Sequence, residues 1–216
     1  MLHDTMKAEP DSTTRRSFLK ASTALAFPAI IPASALGKAG RPAPSERMTL
    51  GCIGTGNNGV NWLRNFMGDD RVQVVSVCDV CEESAAYWAD SVRGREPARK
   101  LVEEKYGKGC KSVEDFRELL ADGTIDAVQI ATPDHWHGIH VTSAAKAGKH
   151  IYGQKPLSLT IAEGRAMSDA VKAAGITFQT GSQQRSSIHF RKAIDLVRNG
   201  YIGKIHTVKV GLPGGT

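Results

Sequence analysis

From residue 48 onward, hydrophobic residues follow two alternating patterns along the chain. Short continuous apolar runs predict buried strands, and segments in which apolar residues recur every three or four positions predict helices. The runs that predict strands are Met48–Ile53, Val72–Cys78, Ile125–Ala131, His150–Gly153 and Ile176–Thr180. The first predicted helix carries Val60, Leu63 and Met67, and a second spans about Glu82–Ser91. A charged interruption at Arg93–Arg99 follows, and then a short helix that ends at Tyr106. The remaining predicted helices are Ser112–Leu120, with Ser112 as its N-cap, one that ends at Ala147, and Ile161–Ala174. Because strands and helices alternate, the pattern predicts an α/β fold with a doubly wound parallel sheet that helices cover on both faces.

The pattern changes after residue 180. Phe190, Ala193, Ile194 and Val197 form one apolar helix stripe, and residues 205–210 alternate as a half-buried strand would. These two elements are too few to bury a core, so we expect residues 181–216 to be the beginning of an α+β substrate and oligomerisation domain that is incomplete here. Residues 48–180 are then the first, sheet-forming domain.

A glycine-rich loop follows the first predicted strand. Its sequence is G-x-G-x-x-G, made by Gly54, Gly56, Asn57, Asn58 and Gly59, with Asp79 twenty positions after the last glycine. The glycines suit a sharp turn, a close approach of pyrophosphate to the backbone, and tight packing of the next helix on the sheet, while the helix N-terminus faces the phosphates. A turn that binds nothing is the alternative, but the order of strand, loop, helix, strand and acid favours a Rossmann dinucleotide site.

The acidic residue of this motif bears on which dinucleotide is bound. Asp79 ends the second predicted strand, where its carboxylate can accept hydrogen bonds from a ribose diol. A negative charge at that point repels a 2′-phosphate. The sequence therefore predicts NAD rather than NADP as the cofactor.

Composition adds exclusions rather than a function. The chain has 216 residues with 41% hydrophobic and 23% charged side chains, as ordinary globular proteins do. The net charge is +6, but the densest basic stretch, residues 93–111, lacks the interleaved aromatic residues that a nucleic-acid surface favours. Cys52 and Cys78 lie in predicted buried strands, and the C-x-x-C formed by Cys78 and Cys81 has no second pair, so we expect neither a metal nor a redox site there.

The N-terminal segment has the order of an export signal. Arg15 and Arg16 precede Phe-Leu-Lys, a weakly apolar run from Ala21 to Ile31, and a small-residue cleavage site at residues 33–35. We therefore expect residues 1–35 to be a twin-arginine signal peptide and residues 36–47 a linker, which places the protein in the periplasm or outside the cell. The apolar run is short and broken by prolines, so no permanent membrane span is predicted. Because this export route carries folded cargo, we also expect tight cofactor binding.

Further motifs follow the predicted strands at the carboxyl edge of the sheet, where this fold places its ligands. They are Thr132-Pro133-Asp134-His135-Trp136-His137, Ala147-Gly148-Lys149-His150, Gln154-Lys155-Pro156, Arg185 and Gly203-Lys204-Ile205. Together with the glycine loop, their order resembles the Gfo/Idh/MocA family of NAD(P)-dependent oxidoreductases over roughly residues 48–210.

This resemblance implies roles for individual residues. Lys155 would lie between the nicotinamide and the substrate hydroxyl and act in catalysis, and His137 would contact the cofactor or the substrate. Thr132, Pro133 and Gln154 would line the cofactor, and Arg185 would reach polar groups of the substrate. The family supplies an acid and a histidine from its second domain, and neither has a counterpart in this chain. His135, His137 and His140 could also be read as metal ligands, but no carboxylate cluster accompanies them, so no metal is predicted.

One position departs from the family. Gln154 stands where the family carries a glutamate before Lys-Pro. Either Lys155 loses a negative neighbour and titrates at a lower pH, or the amide keeps the geometry and little changes. The sequence leaves both interpretations open.

The function that follows is an exported NAD-dependent dehydrogenase acting on a sugar, a polyol or a related hydroxylated compound. The alternatives are an NAD-dependent glycoside hydrolase of the same fold and a non-catalytic dinucleotide-binding module. The resemblance also implies that the full-length protein forms a homo-oligomer.

Overall fold

The structure is a computed structural model that describes residues 42–85 and 91–212. Six strands form its sheet, namely β1 (Met48–Ile53), β2 (Val72–Cys78), β3 (Lys111–Val113), β4 (Ala127–Ile130), β5 (His150–Gln154) and β6 (Phe178–Gly181). Its α-helices are α1 (Asn57–Met67), α2 (Arg95–Tyr106), α3 (Phe116–Ala121), α4 (Asp134–Lys146), α5 (Ile161–Ala174) and α6 (Ile188–Arg198). A 3-10 helix, Gln183–Ser186, follows β6.

The strand order explains where the ligand site must lie. The sheet runs β3-β2-β1-β4-β5-β6, and every pairing is parallel. The end of β1 is flanked on both sides, because Ile53 pairs with Cys78 of β2 and with Ile130 of β4. The winding direction reverses between β1 and β4, and open α/β sheets bind ligands at the carboxyl ends of the strands at that reversal. The predicted doubly wound Rossmann fold is confirmed.

Two apolar clusters hold the helices against the sheet. One face packs against α1 and α2 through Val60, Leu63, Met67, Ala98 and Val102. The opposite face packs against α3, α4 and α5 through a cluster whose helix members are Leu119, Leu120, Val141, Ala144, Ala145 and Met167. The predicted burial of two cysteines is confirmed, since Cys52 is 0% exposed and Cys78 3% exposed.

The segment between β2 and α2 differs from its prediction. The helix expected at about residues 82–91 does not form in its described part, because Ser84 pairs with Arg93 in an isolated antiparallel bridge. Residues 86–90 of that prediction lie outside the described residues. The charged interruption expected at Arg93–Arg99 is also wrong, since α2 already begins at Arg95. Arg99 bonds Glu96 and Glu103 at i−3 and i+4 spacing, so the charges in this stretch support the helix.

The helix predicted at residues 112–120 begins later than expected. Ser112 belongs to β3, which pairs with β2, and the N-cap of α3 is Asp115, whose carboxylate accepts from the amide of Arg117. The prediction for α5 is confirmed at both ends. Thr160 and Glu163 form a capping box at its start, and Gly175 ends it in the left-handed conformation, φ 65°.

The chain after β6 forms the predicted helix but not the predicted strand. Helix α6 spans Ile188–Arg198, and its Phe190 and Ile194 are 49% and 45% exposed. Residues 205–210 pair with no described strand, so the strand expected there is wrong for this structure. A strand needs a neighbour for its backbone N–H and C=O groups, and the described residues provide none at this place.

Candidate functional site

The glycine loop joins β1 to α1 at the point where the winding reverses. Gly54 has φ +87°, and a Cβ placed on it would lie 2.7 Å from the carbonyl oxygen of Ala131 in the neighbouring loop. A Cβ on Gly59 would lie 1.9 Å from the carbonyl oxygen of Gly54. The loop geometry therefore requires glycine at both positions, in agreement with the turn and the close packing expected of them. Gly56 precedes α1 as its N-cap and has no φ constraint of this kind.

The first turn of α1 is open to a phosphate. The helix begins at Asn57, and its N-cap Gly56 offers no side chain to the first amides. Asn57 is half-buried and Asn58 is exposed. Backbone amides at a helix N-terminus, together with the positive end of the helix dipole, favour an anion. The loop and the helix start thus fit a pyrophosphate.

A buried glutamine anchors this loop from below. Gln129, in the middle of β4, is 0% exposed and donates through Nε2 to the carbonyl oxygen of Gly59 at 2.9 Å. The residue was not predicted to bear on the site. The signal for it was present, because Gln129 is a lone polar residue within the apolar run Ala127–Ile130.

Asp79 lies beside the glycine loop with its carboxylate oriented by two amides. The Thr55 amide donates to Oδ2 at 2.7 Å, and the Cys81 amide donates to Oδ1 at 3.0 Å. Arg95 supports the same turn by donating to the carbonyl oxygens of Asp79 and Val80, each at 3.2 Å. A carboxylate oxygen accepts more than one hydrogen bond, so this fixed group can still receive a ribose diol.

The loop after β4 touches the glycine loop and the loop after β5. The Ala131 amide donates to the carbonyl oxygen of Ile53 at 2.9 Å. His137, in the first turn of α4, places Nε2 2.8 Å from the carbonyl oxygen of Thr132 and Nδ1 2.6 Å from that of Pro156. His137 therefore contacts both the loop that carries Thr132 and the loop that carries Lys155 and Pro156. Pro133 and Asp134 are exposed at the same edge.

Lys155 is exposed at the end of β5 and is joined to Pro156 by a cis peptide bond. Gln154, directly before it, is only 2% exposed, and its Oε1 accepts from Nε2 of Gln183 at 2.7 Å. The catalytic role of Lys155 stays a prediction. The departure at Gln154 now has a structural context, which is a hydrogen bond between its buried side chain and the half-buried amide of Gln183.

The other predicted residues are placed less directly. Arg185 is exposed in the 3-10 helix after β6, so its role at a substrate stays a prediction. His137 is 2% exposed with both ring nitrogens on carbonyl oxygens, and its direct contact with cofactor or substrate also stays a prediction. Among the described residues, no three His, Cys, Asp or Glu side chains form a group that could hold a metal ion.

Burial sets the protonation of the neighbouring side chains. The pKa of His140 is lowered to about 4, first by burial and then by the nearby His137. Its ring stacks on Trp136 and its Nδ1 lies 3.1 Å from Thr132 Oγ1. Burial also raises the pKa of Cys78 to about 12 and that of Cys52 still further. These two thiols are therefore uncharged and unreactive at neutral pH.

Known proteins resemble this chain over the same region. The profile of an oxidoreductase family with an NAD-binding Rossmann fold matches residues 48–182. Myo-inositol 2-dehydrogenase of Thermotoga maritima is 33% identical over 163 residues, which are 76% of this chain and 44% of that protein. Glycosyl hydrolase family 109 protein 2 of a Shewanella species is 27% identical over 209 residues, 88% of this chain and 44% of that protein.

A solved structure agrees in fold. The scyllo-inositol dehydrogenase from Lactobacillus casei, with bound cofactor NAD(H) and scyllo-inositol, has a TM-score of 0.59 and 24% identity, and the match covers 73% of this chain and 42% of that one. The chain thus spans 44% of the length of the curated relatives named above. Within residues 42–85 and 91–212, no helix has the length and hydrophobicity needed to cross a bilayer.

Proposed function

Because this chain belongs to the Gfo/Idh/MocA oxidoreductase family, whose NAD-binding Rossmann fold matches residues 48–182, we propose that the protein oxidises or reduces one hydroxyl-bearing carbon of a sugar, a polyol or a related cyclic compound. NAD is the cofactor, as the family's fold implies. The observation that carries the proposal is the contact between loops. The glycine loop, the Thr132 loop and the Lys155 loop meet at the reversal of the sheet.

The residues present fit the cofactor. The amides of Gly56, Asn57 and Asn58 at the start of α1 would hold the pyrophosphate, Gly54 and Gly59 would shape the loop around it, and Asp79 would accept from the adenosine ribose. Thr132, Pro133 and Gln154 would border the nicotinamide half. When bound, NAD supplies the hydride acceptor or donor.

Lys155 would act on the proton that accompanies the hydride. Its ammonium group is exposed at the carboxyl end of β5, next to the predicted nicotinamide half. There it can donate a hydrogen bond to the substrate oxygen and stabilise negative charge on it. In the reducing direction the ammonium group would give its proton to that oxygen, and in the oxidising direction the amine would take the proton from the hydroxyl group. Arg185 would bind polar groups of the substrate from the side of the second domain.

A lysine substitution tests this proposal in the full-length natural protein. We expect Lys155→Ala to lower kcat by about 100-fold or more, since general acid-base groups contribute about 10²–10⁴. The dissociation constant for NADH should change little, because the phosphate and ribose contacts remain. Lys172→Ala, on the exposed side of α5, is the matched control. Equal kcat values for the two variants on a panel of sugars, polyols and inositols would contradict the role of Lys155.

A glycoside hydrolase is the second candidate. The likeness to glycosyl hydrolase family 109 protein 2 extends over 88% of this chain, farther than the dehydrogenase match. That reaction would also use bound NAD, but it would release nitrophenol from an aryl glycoside without net NADH formation. Measuring NADH and nitrophenol in parallel separates the two reactions.

Export by the twin-arginine route is a further part of the proposal. Arg15 and Arg16 lie outside the described residues, and the support is the sequence pattern alone. Cell fractionation of the natural protein and of a variant with both arginines changed to lysine tests it. We expect the natural protein in the periplasmic fraction and the variant in the cytoplasm, and equal distribution of the two would contradict export by this route.

A further inference from the structure

His137 bridges two loops that are separate in sequence. Its Nε2 lies 2.8 Å from the carbonyl oxygen of Thr132, after β4, and its Nδ1 lies 2.6 Å from the carbonyl oxygen of Pro156, after β5. The side chain is 2% exposed, so water has little access to either contact. The loop that it reaches on the β5 side carries Lys155.

The chemistry of the two partners restricts the ring. A peptide carbonyl oxygen accepts hydrogen bonds and cannot donate one. A neutral imidazole has one N–H, so it can satisfy only one of these carbonyls, and the lone pair of its other nitrogen would face the second oxygen at short distance. Both contacts are hydrogen bonds when both nitrogens carry hydrogen.

The surroundings are compatible with one positive charge at this position. His140, on the same face of α4, is buried and neutral at neutral pH, so it adds no second positive charge. Glu163 of α5 packs against Gly138, the residue after His137, and its carboxylate accepts from the amides of Leu159 and Thr160. Lys155 is exposed to solvent, and so are Asp134 and His135 in the first turn of α4.

We propose that His137 is a positioning residue whose ring, protonated on both nitrogens, ties the Thr132 loop to the Pro156 loop and thereby fixes Lys155 beside the cofactor. The proposal rests on the proposed function for the importance of Lys155. The clamp itself is a property of the folded protein and can be observed without a substrate.

Nitrogen NMR on the full-length natural protein labelled with ¹⁵N-histidine tests the clamp directly. Near neutral pH we expect one buried histidine with slowly exchanging hydrogens on both ring nitrogens, a signal that disappears in His137→Gln. If that variant does not fold, contacts of the ring with Pro156 in nuclear Overhauser spectra assign the signal. A His137 ring with one bare nitrogen at neutral pH would overturn the proposal.

Kinetics then test positioning. The side chain in His137→Gln has its donors on one nitrogen only and cannot reach both carbonyl oxygens. We therefore expect kcat to fall about tenfold or more. A displacement of a catalytic group by 1 Å can cost about 10²-fold in rate, so a loss of this size is consistent with a shifted Lys155. KM and the NADH dissociation constant should stay within about twofold, because both ring nitrogens of His137 face carbonyl oxygens of the protein. The control is His140→Gln, which removes a buried histidine of the same helix and its contact with Thr132 Oγ1 but leaves both ring contacts of His137 in place.

The two variants distinguish the possible failures. An equal loss of kcat in His137→Gln and His140→Gln would mean general destabilisation and would overturn the positioning role. A natural protein that shows the doubly protonated ring but transfers no hydride would contradict the proposed function and leave the clamp standing.

Discussion

Gln183 donates from its side-chain amide to Oε1 of Gln154 at 2.7 Å, and Gln154 is 2% exposed. The pair joins the residue before Lys155 to the 3-10 helix that follows β6. Gln154, a neutral amide, thus stands in this pair at the position where the sequence resemblance implies a carboxylate. The contact uses the side-chain oxygen of Gln154, an atom that a glutamate also has, so both interpretations of this departure stay predictions.

Removing the donor should destabilise the protein. In Gln183→Leu, Oε1 of the buried Gln154 loses its partner, which costs about 1–3 kcal/mol in comparable cases. We expect a lower thermal midpoint than in Gln184→Leu, a substitution of the exposed neighbour in the same 3-10 helix. Equal midpoints for the two variants would show that the pair contributes nothing measurable.

Asp79 should set the choice between the two dinucleotides. In Asp79→Asn the side-chain oxygen can still accept from the Thr55 amide, but the negative charge that repels a 2′-phosphate is gone. We expect NADPH to bind more tightly and NADH more weakly, with a change of about tenfold in the ratio of their dissociation constants, equal to about 1.4 kcal/mol. Titration of NADH and NADPH fluorescence measures both. Asp169→Asn, exposed on α5, should leave the ratio unchanged, and an unchanged ratio in Asp79→Asn would refute the assignment.

His140 should make the fold sensitive to acid. Its pKa is about 4 in the folded protein and near 6.5 when unfolded, so the unfolded chain binds the proton at higher pH. The contribution to stability is complete above about pH 6.5 and is lost as the pH falls toward 4, up to about 3 kcal/mol. Thermal midpoints at pH 7 and pH 4.5 should therefore differ less in His140→Gln than in the natural protein. His189→Gln, exposed on α6, should retain the full difference, and an identical loss on acidification in all three proteins would exclude His140 as a cause.

Gly59 should tolerate no side chain. In Gly59→Ala the new methyl group would lie 1.9 Å from the carbonyl oxygen of Gly54, and α1 must move away from the loop. We expect a loss of at least about 1–3 kcal/mol of stability and weaker NADH binding. Gly123→Ala is the control, because nothing lies within 4 Å of its added Cβ. Normal NADH affinity in Gly59→Ala would contradict the tight packing described for this loop.

The sequence predicted the parts of the fold whose signals are local and strong. The apolar run of β1 and the bounds of α5, Ile161 and Ala174, depend on neighbouring residues alone. The strand β3 was missed because it has three residues and a single apolar side chain, and it exists through pairing with β2. Ser112 was predicted to be a helix N-cap because serine is common at that position. Its place in β3 depends on pairing with β2, which the local sequence does not show.

The candidate site divides in the same way. Gly54, Gly59 and Asp79 could be named in advance, because a fixed spacing between strand, loop and helix carries them. The contacts of Gln129 with Gly59 and of Gln183 with Gln154 could not, since each joins residues far apart in the chain. Which polar side chains become partners depends on how the strands and loops pack in the folded protein.

The central position of β1 has a consequence for the growing chain on the ribosome. β1 contacts β4 through pairs such as Leu50 with Ala127, and the turn at Gly54 rests against Ala131. A nascent polypeptide that has emerged only as far as Gly123 therefore contains the complete glycine motif. It still lacks β4 and Ala131, against which the glycine loop packs. The nucleotide site can therefore form only after β4 has been synthesised.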